Sequence, residues 1–416
     1  MTALRVLWTL PYLPWPITSG GKARQFHLLR EMARRGHAIT LLVQSKTPLD
    51  DATRAALEPL VERLIVLPRR PLRDPRTLWF AACSAQPLLA SVNGHAPELS
   101  RRFVELLREP WDVVQVEHSY GFGPFEQALA AAQQPFILTE HNVESALGAA
   151  TYGKWPAALR PFAGYDRWRA RRWERRVLAQ AAAIVAVTED DAQALSRIGT
   201  RPAHVVPNGV DVAAFSEVEP ALRAQRVLFV GNFEYAPNVD AVEWAAAEIL
   251  PRLWQRLPQA RFVVCGHALP KAWATRFPDP RIEWRGYVPR LQDVQAQASA
   301  FLAPLRFGGG SKLKVLEALA AGLPLVSTRE GVSGLHVANG TRARVADDAA
   351  GLAGALAEVL LDARLAARLS EAGRALAQDR FDWSAAAAQL EAVYRHPSVA
   401  RRPATALATG GATACA

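Results

Sequence analysis

"LRVLWTLPYLPWPITSGGKARQFHLLREMARRGHAITLLVQ", residues 4–44, decides the fold class. Its first seven residues form a short apolar run of the kind a buried strand carries, and AITLLVQ (38–44) is a second. Between them stand the loop PYLPWPITSGG (11–21) and KARQFHLLREMARRG (22–36), whose apolar residues recur at helical spacing. Strand, helix and strand of these lengths make a β-loop-α-β unit, the crossover by which parallel strands become neighbours.

Outward from this unit the pattern repeats. RLIVL (63–67), DVVQVE (112–117), PFILTE (135–140), AIVAVT (183–188) and AHVVP (203–207) are further strand candidates, separated by helical or loop sequence. A second series runs from RVLFVG (226–231) through a helix at 237–257, ARFVVCG (260–266), RIEWRG (281–286), AFLAPL (300–305) and LPLVST (323–328). The spacing predicts an α/β protein of two doubly wound parallel-sheet domains meeting in the segment 211–225, with Ala-rich helices after 350. From His396 onward the Pro, Ala, Thr and Gly content reads as disordered.

At 416 residues, half of them hydrophobic, the chain is long for one core and comfortable for two. No apolar run approaches the roughly 18 to 20 residues of a membrane helix. VLWTL near the start is too short, and too soon followed by Pro11 and Pro14, for a signal peptide. A cytoplasmic protein is expected. Cys83, Cys265 and Cys415 lie far apart without metal or redox spacing, so they read as unpaired thiols and imply no metal.

The net charge of +10 calls for acidic partners: nucleic acid, anionic lipid or phosphorylated small molecules. The densest basic stretch is RPFAGYDRWRARRWERR (160–176), where Arg interleaves with Phe162, Tyr165, Trp168 and Trp173. It suits an anionic membrane surface, with aromatics at headgroup depth; equally, it suits a solvated Arg-rich helix whose aromatics enter the core. Nucleic acid ranks below both, because no recognised binding motif accompanies the charge.

GGGSKLKVLEALAAGLPLVST (308–328) raises a different question. Leu313, Leu316, Leu319 and Leu323, with Val315 and Ala320, mark the buried face of a helix for which Ser311 is the expected N-cap. Helix N-termini favour acidic residues by a few tenths to about 1 kcal/mol, yet this one carries Lys312 and Lys314. Either a ligand brings the missing negative charge, with Gly308 to Gly310 letting the backbone approach it, or both lysines are solvated and Lys314 pairs with Glu317. Gly20 and Gly21 form a matching cluster after the first strand. Neither is a dinucleotide or Walker fingerprint, which argues against a dehydrogenase or an ATPase. His118 and His141 fall on strand C-termini facing the cleft expected between the domains. They are candidates for positioning a reacting group, and Glu117 could orient His118 or serve as a base if burial raises its pKa.

Taken in order, SGGKARQFHLLREMARRGHAITLL (19–42), ILTEHNVES (137–145), VVPNGVD (205–211), LFVGNFEYAPNVDAV (228–242) and the stretch at 308–328 resemble the retaining, nucleotide-sugar-dependent glycosyltransferases of family 4, within the GT-B fold. The likeness spans about residues 4–395 and is nearest to bacterial exopolysaccharide-type sugar transferases. It implies two Rossmann-like domains facing a cleft: an acceptor-binding domain over 1–212, a donor-binding domain over 213–379, a helix at 380–396 crossing back, and a disordered tail at 397–416. It further implies a nucleotide-sugar donor held by Gly20, Gly21, Gly231, Asn232, Tyr287, Val288, Gly309, Gly310, Ser311, Lys312, Leu313 and Glu317. In that resemblance Glu317 accepts from the ribose hydroxyls and Lys312 faces the diphosphate. His118, His141 and Glu117 stand as the catalytic candidates.

No cofactor and no metal are expected, since no Asp-x-Asp pair occurs and the leaving diphosphate would be stabilised by positive side chains and a helix N-terminus. Partners would be the donor, a glycan or lipid-linked saccharide acceptor, and the inner membrane face through 160–176, with no nucleic acid. Two positions depart from the family pattern: Gly309 stands where a second glutamate is usual, and GNFEYAPN (231–238) has Glu234 and no base. They motivate an alternative, a catalytically weak nucleotide-sugar-binding subunit of a glycan assembly complex.

Overall fold

The computed structural model describes residues 2–70, 74–94, 96–146, 160–308 and 312–399. Its first sheet comprises β1 (Arg5–Leu10), β2 (Ala38–Ser45), β3 (Arg63–Pro68), β4 (Val113–Glu117), β5 (Ile137–Thr139), β6 (Ala183–Ala186) and β7 (Ala203–Val205). All are parallel, in the order β3-β2-β1-β4-β5-β6-β7. The second sheet holds β8 (Arg226–Val230), β9 (Arg261–Cys265), β10 (Ile282–Gly286), β11 (Ala300–Ala303), β12 (Leu325–Ser327) and β13 (Arg344–Val345), in the order β10-β9-β8-β11-β12-β13. In both sheets the winding reverses beside the first strand, at β1/β4 and at β8/β11. A crevice opens beyond the strand C-termini at such points, and the described candidate site residues lie at the strand ends or on the loops and helices leaving them.

Strands buried on both faces explain the continuous apolar runs. Val6, Trp8 and Leu10 pack beneath the helix Gly20–Arg34 with Leu28, Leu29 and Met32, while Leu7 faces Phe103, Val114 and Leu138 on the other side. That helix starts two residues earlier than the spacing alone suggested, because Ser19 supplies the cap and accepts from the Lys22 amide at 3.4 Å. Two-residue β13 has too little sequence to carry a strand signature, and none was read there.

The chain's last helices tie the halves together. Ala363–Phe381 packs on Leu313–Ala320, with Gly373 so close that a β-carbon there would lie 2.9 Å from Leu319 Cδ2. At Asp382 the chain turns, held where Val210 donates to the Phe381 carbonyl at 2.7 Å. The helix Trp383–Tyr394 then lies on Gly20–Arg34, burying Trp383, Leu390 and Tyr394 in the first domain's core, and Arg35 pairs with Glu391 at 3.0 Å. Val399 is buried too, so the disorder expected from His396 onward does not hold for 396–399; residues 400–416 lie outside the described chain. Among the described residues no helix is long and apolar enough to cross a membrane.

Candidate active site between the two sheets

The second domain contributes the helix Leu313–Ala320, which follows β11. Gly309, Gly310 and Ser311 lie outside the described residues. The cap position belongs to Lys312, not Ser311, and no side chain caps the helix. Gly308 is left-handed (φ 133°), with Tyr235 Oη and Pro237 at 3.1 Å from where a β-carbon would sit, so only glycine fits.

Neither lysine is free in solvent, and Lys314 makes no ion pair with Glu317. Lys312 is 5 % exposed, donating to the Gly308 carbonyl at 2.7 Å and pairing with Glu330 at 3.0 Å. Lys314 donates to Asn238 Oδ1 and stands 4.7 Å over the Phe229 ring. Burial, with Lys312 nearby, pushes its ammonium down to about 7. Glu317, one helical turn on, has no hydrogen-bond partner among the described residues, and burial pushes its carboxyl up to about 7 against the pull of Lys314. Burial makes charge costly on both groups, and an anion beside one with hydroxyl donors on the other would stabilise it.

Lys314 also resolves the bare loop after β8. Asn238, which accepts from Lys314, donates through Nδ2 to the Asn232 carbonyl at 2.7 Å. The lysine thus reaches from the helix after the neighbouring strand β11 to the loop that lacks a base of its own. Gly231 belongs to the same loop, donating to the Cys265 carbonyl at 3.1 Å. Gly266 opposite it has φ 142° and would place a β-carbon 1.7 Å from the Gly231 carbonyl oxygen, a close approach signalled in sequence only by a glycine ending VVCG. Beyond β10, Val288 packs on the core, while Tyr287 is 74 % exposed at the strand's mouth.

The first domain answers across the cleft. A β-carbon on Gly20 would sit 3.1 Å from Leu313 Cδ1, so the two helix N-termini meet there. One on Gly21 would sit 2.8 Å from Tyr12 Oη and 3.4 Å from His141 Nδ1. His141, just past β5, places Nε2 2.9 Å from Glu117 Oε2. The other Glu117 oxygen accepts from Trp8 Nε1 at 3.1 Å and Gln115 Nε2 at 2.5 Å. Burial alone would raise this carboxyl; the bond from His141 and the charges around it carry the balance below the usual carboxylate range. An ionised Glu117 assigns the proton to His141 Nε2 and leaves Nδ1 a lone pair on the Gly21 side. Burial first, and His118 second, lower the imidazole to about 4, so it is neutral at pH 7: an acceptor for a hydroxyl rather than a strong base.

Two expectations are corrected here. Glu117 orients His141 and not His118, and its pKa falls rather than rises, which suits an anchor and not a general base. His118 instead caps a short turn with φ 64°, strained for a non-glycine residue. Its ring lies 4.2 Å from that of His141, with Nε2 3.4 Å from Tyr12 Oη and Nδ1 3.5 Å from Glu144. Sequence reasoning missed Tyr12, Trp8 and Gln115, and it set Lys312 at the diphosphate and left Lys314 out of the donor-binding set, whereas the structure ties Lys312 to Gly308 and Glu330; nothing local marks Trp8 or Tyr12, whose partners Glu117 and His118 are more than a hundred residues away.

Two trios place possible metal-ligand atoms within 4.8 Å of one another: Glu117, His118 and His141, and His118, Glu140 and Glu144. In the first, Glu117 and His141 already bind each other. In the second, burial and the neighbouring Glu144 and Glu174 push the Glu140 carboxyl well above the usual range, which disfavours the charged form a cation would need.

Residues 19–214 match the family described as Glycosyltransferase Family 4, and residues 224–362 that described as Glycosyl transferases group 1. The chain is 28 % identical to a glycogen synthase of Mycobacterium tuberculosis, over 95 % of this chain and 94 % of that one. Sucrose-phosphate synthase from Thermosynechococcus elongatus superposes with a TM-score of 0.67 at 19 % identity, covering 94 % of this chain and 98 % of the other. HepE from Anabaena, solved in complex with UDP-glucose, gives 0.61 at 17 % identity, covering 94 % and 99 %. The family matches between them hold the cleft residues from Gly20 to Glu317, and the solved structures share the two-sheet fold: this chain is an enzyme of the GT-B glycosyltransferases, belonging to family 4.

Proposed function

We propose that the protein transfers a hexose from a nucleoside-diphosphate sugar to a saccharide acceptor, with retention and without a metal, in the synthesis of an exopolysaccharide or other cell-surface glycan. The observation that carries this reading is the pair Lys314 and Glu317 on one cleft-facing helix, each held near neutrality, Lys314 bonded to the neutral Asn238 amide and Glu317 without a hydrogen-bond partner among the described residues. A diphosphate beside Lys314 and the helix N-terminus gains the charge stabilisation that a departing nucleotide needs. Ribose hydroxyls donating to Glu317 fix the nucleoside. Lys312 is tied to Gly308 and Glu330, which leaves Lys314 as the base for the phosphates.

On the opposite wall, the His141 Nδ1 lone pair suits a hydroxyl of the transferred sugar. Front-face departure, in which the leaving phosphate oxygen takes the acceptor's proton, asks for no protein nucleophile. HepE was solved with UDP-glucose, which favours a UDP-hexose donor. Lys314 supplies the base whose absence from GNFEYAPN motivated the weak-subunit alternative, so turnover is the better reading.

The acceptor we infer is lipid-linked, met at the inner membrane face. Phe162, Tyr165 and Trp168 are each more than half exposed on the helix Arg160–Gln180, beside exposed Arg171, Arg172, Arg175 and Arg176. Trp173 alone of the four aromatics enters the core, donating to the Ser119 carbonyl at 2.9 Å and pinning the helix with its aromatic face outward. An aromatic, arginine-rich face of this kind suits anionic headgroups.

The direct test is a thermal-shift panel of UDP-, GDP- and ADP-sugars with EDTA present, on wild type and Glu317→Ala, followed by nucleotide release with candidate acceptors. One donor stabilising wild type and not the variant is expected; stabilisation by none at millimolar concentration would refute the site. Flotation with phosphatidylglycerol vesicles tests the membrane reading, which fails if the protein stays unbound at physiological salt.

A further inference from the structure

The crossover helix does more than fasten the domains. Tyr394, near its end, is 2 % exposed, and its hydroxyl donates to Gln115 Oε1 at 2.5 Å. Gln115 Nε2 donates to Glu117 Oε1 at 2.5 Å, and Glu117 Oε2 faces His141 Nε2 at 2.9 Å. Three consecutive hydrogen bonds, all buried, therefore run from the last helix to the cleft-facing imidazole. The direction of each is forced. An ionised carboxylate only accepts, so the amide must present its nitrogen to Glu117; its oxygen is then turned toward Tyr394, whose hydroxyl is the donor it receives.

We propose that Tyr394 is a positioning residue for His141, acting through Gln115 and Glu117, so that the crossover helix sets the tautomer and orientation of the group facing the transferred sugar. Without the hydroxyl, Gln115 Oε1 is left buried with no donor, and the amide, still held through Nε2 by Glu117 and by Thr139 Oγ1 at 3.3 Å, loses the anchor on its other side. The amide then shifts against Glu117, and the carboxylate's alignment on His141 loosens. The preceding helix, Ala363–Phe381, packs on Leu313–Ala320, so the relay begins on the helix that follows it in the chain. This inference rests on the reading of His141 as a group that meets substrate.

The test is Tyr394→Phe, which removes one oxygen, combined with His141→Ala in a double-mutant cycle on the full chain. Expected are a kcat about three- to tenfold lower in Tyr394→Phe, a donor KM within about twofold of wild type, and no further loss when the change is added to His141→Ala. Gln115→Met, cutting the next link, should give the same loss and add nothing to Tyr394→Phe. The 15N shifts of the His141 imidazole should move in Tyr394→Phe, while those of exposed His267 stay in place. Wild-type kcat in Tyr394→Phe, or a full additional loss in the His141→Ala background, would overturn the relay while leaving the function intact. Full activity in His141→Ala would instead overturn the reading of His141, and the relay with it.

Discussion

The two walls of the cleft are built on opposite principles. On the second domain's side, Glu317 has no hydrogen-bond partner among the described residues and Lys314 has a neutral amide and an aromatic face, one group pushed up and the other down to about 7. On the other wall, Glu117 has two donors on one oxygen and His141 on the other, and the imidazole is locked neutral. One wall holds titratable groups near neutrality, and the other a closed network of hydrogen bonds. Substitutions on the first should therefore act on binding, and on the second on turnover.

The sharpest way to break this contrast is Glu317→Ala or Lys314→Met. Each removes a charge-assisted contact of about 1.5 to 3 kcal/mol, so donor affinity should fall roughly 10- to 100-fold by calorimetry. Equal donor affinity in both variants would erase the distinction between the walls. Next in size is Glu117→Gln, which replaces the anion that fixes the His141 proton: kcat should drop about tenfold with donor KM within about twofold. A pure KM effect would place Glu117 on the binding side instead.

A smaller effect is the pH dependence of donor binding. A diphosphate beside Lys314 raises its pKa, so that contribution is full below about 7 and is lost as pH rises past it. Hydroxyls donating to Glu317 lower its pKa, so its contribution is full above about 7 and is lost as pH falls. Affinity should follow a bell centred near neutrality, losing its acid limb in Glu317→Gln and its alkaline limb in Lys314→Met. A flat profile in wild type would mean that neither group titrates against the ligand. Smallest is Lys312→Met, whose ammonium is already spent on Gly308 and Glu330: donor affinity should change less than about threefold, and a loss matching that of Lys314→Met would reverse the assignment of the two lysines.

How far the sequence carried can be judged residue by residue. Apolar runs located every strand from β1 to β12 within a few residues, because doubly buried strands leave a continuous signature and the intervening helices a 3.6-residue one. The unexpected charge at 312 and 314 was legible for the same reason, as a local violation of helix N-terminal preference. Which aromatics of 160–176 face outward was not: Trp168 and Trp173 sit in the same helix, and only the neighbour beneath each decides that one is exposed and the other buried.

Local preference, then, determined the elements, the two-domain plan and the glycine-flanked helix with its lysines. Tertiary structure alone decided which lysine is committed and which is poised, that Glu117 serves His141, and that Tyr394 reaches Gln115 from 279 residues away. The physical reason is that propensity and periodicity act over one or two turns of chain. Partners such as Glu117 and His141 are chosen by the register of β4 against β5, where Glu117 lies beside Thr139 and brings the residues after it within reach.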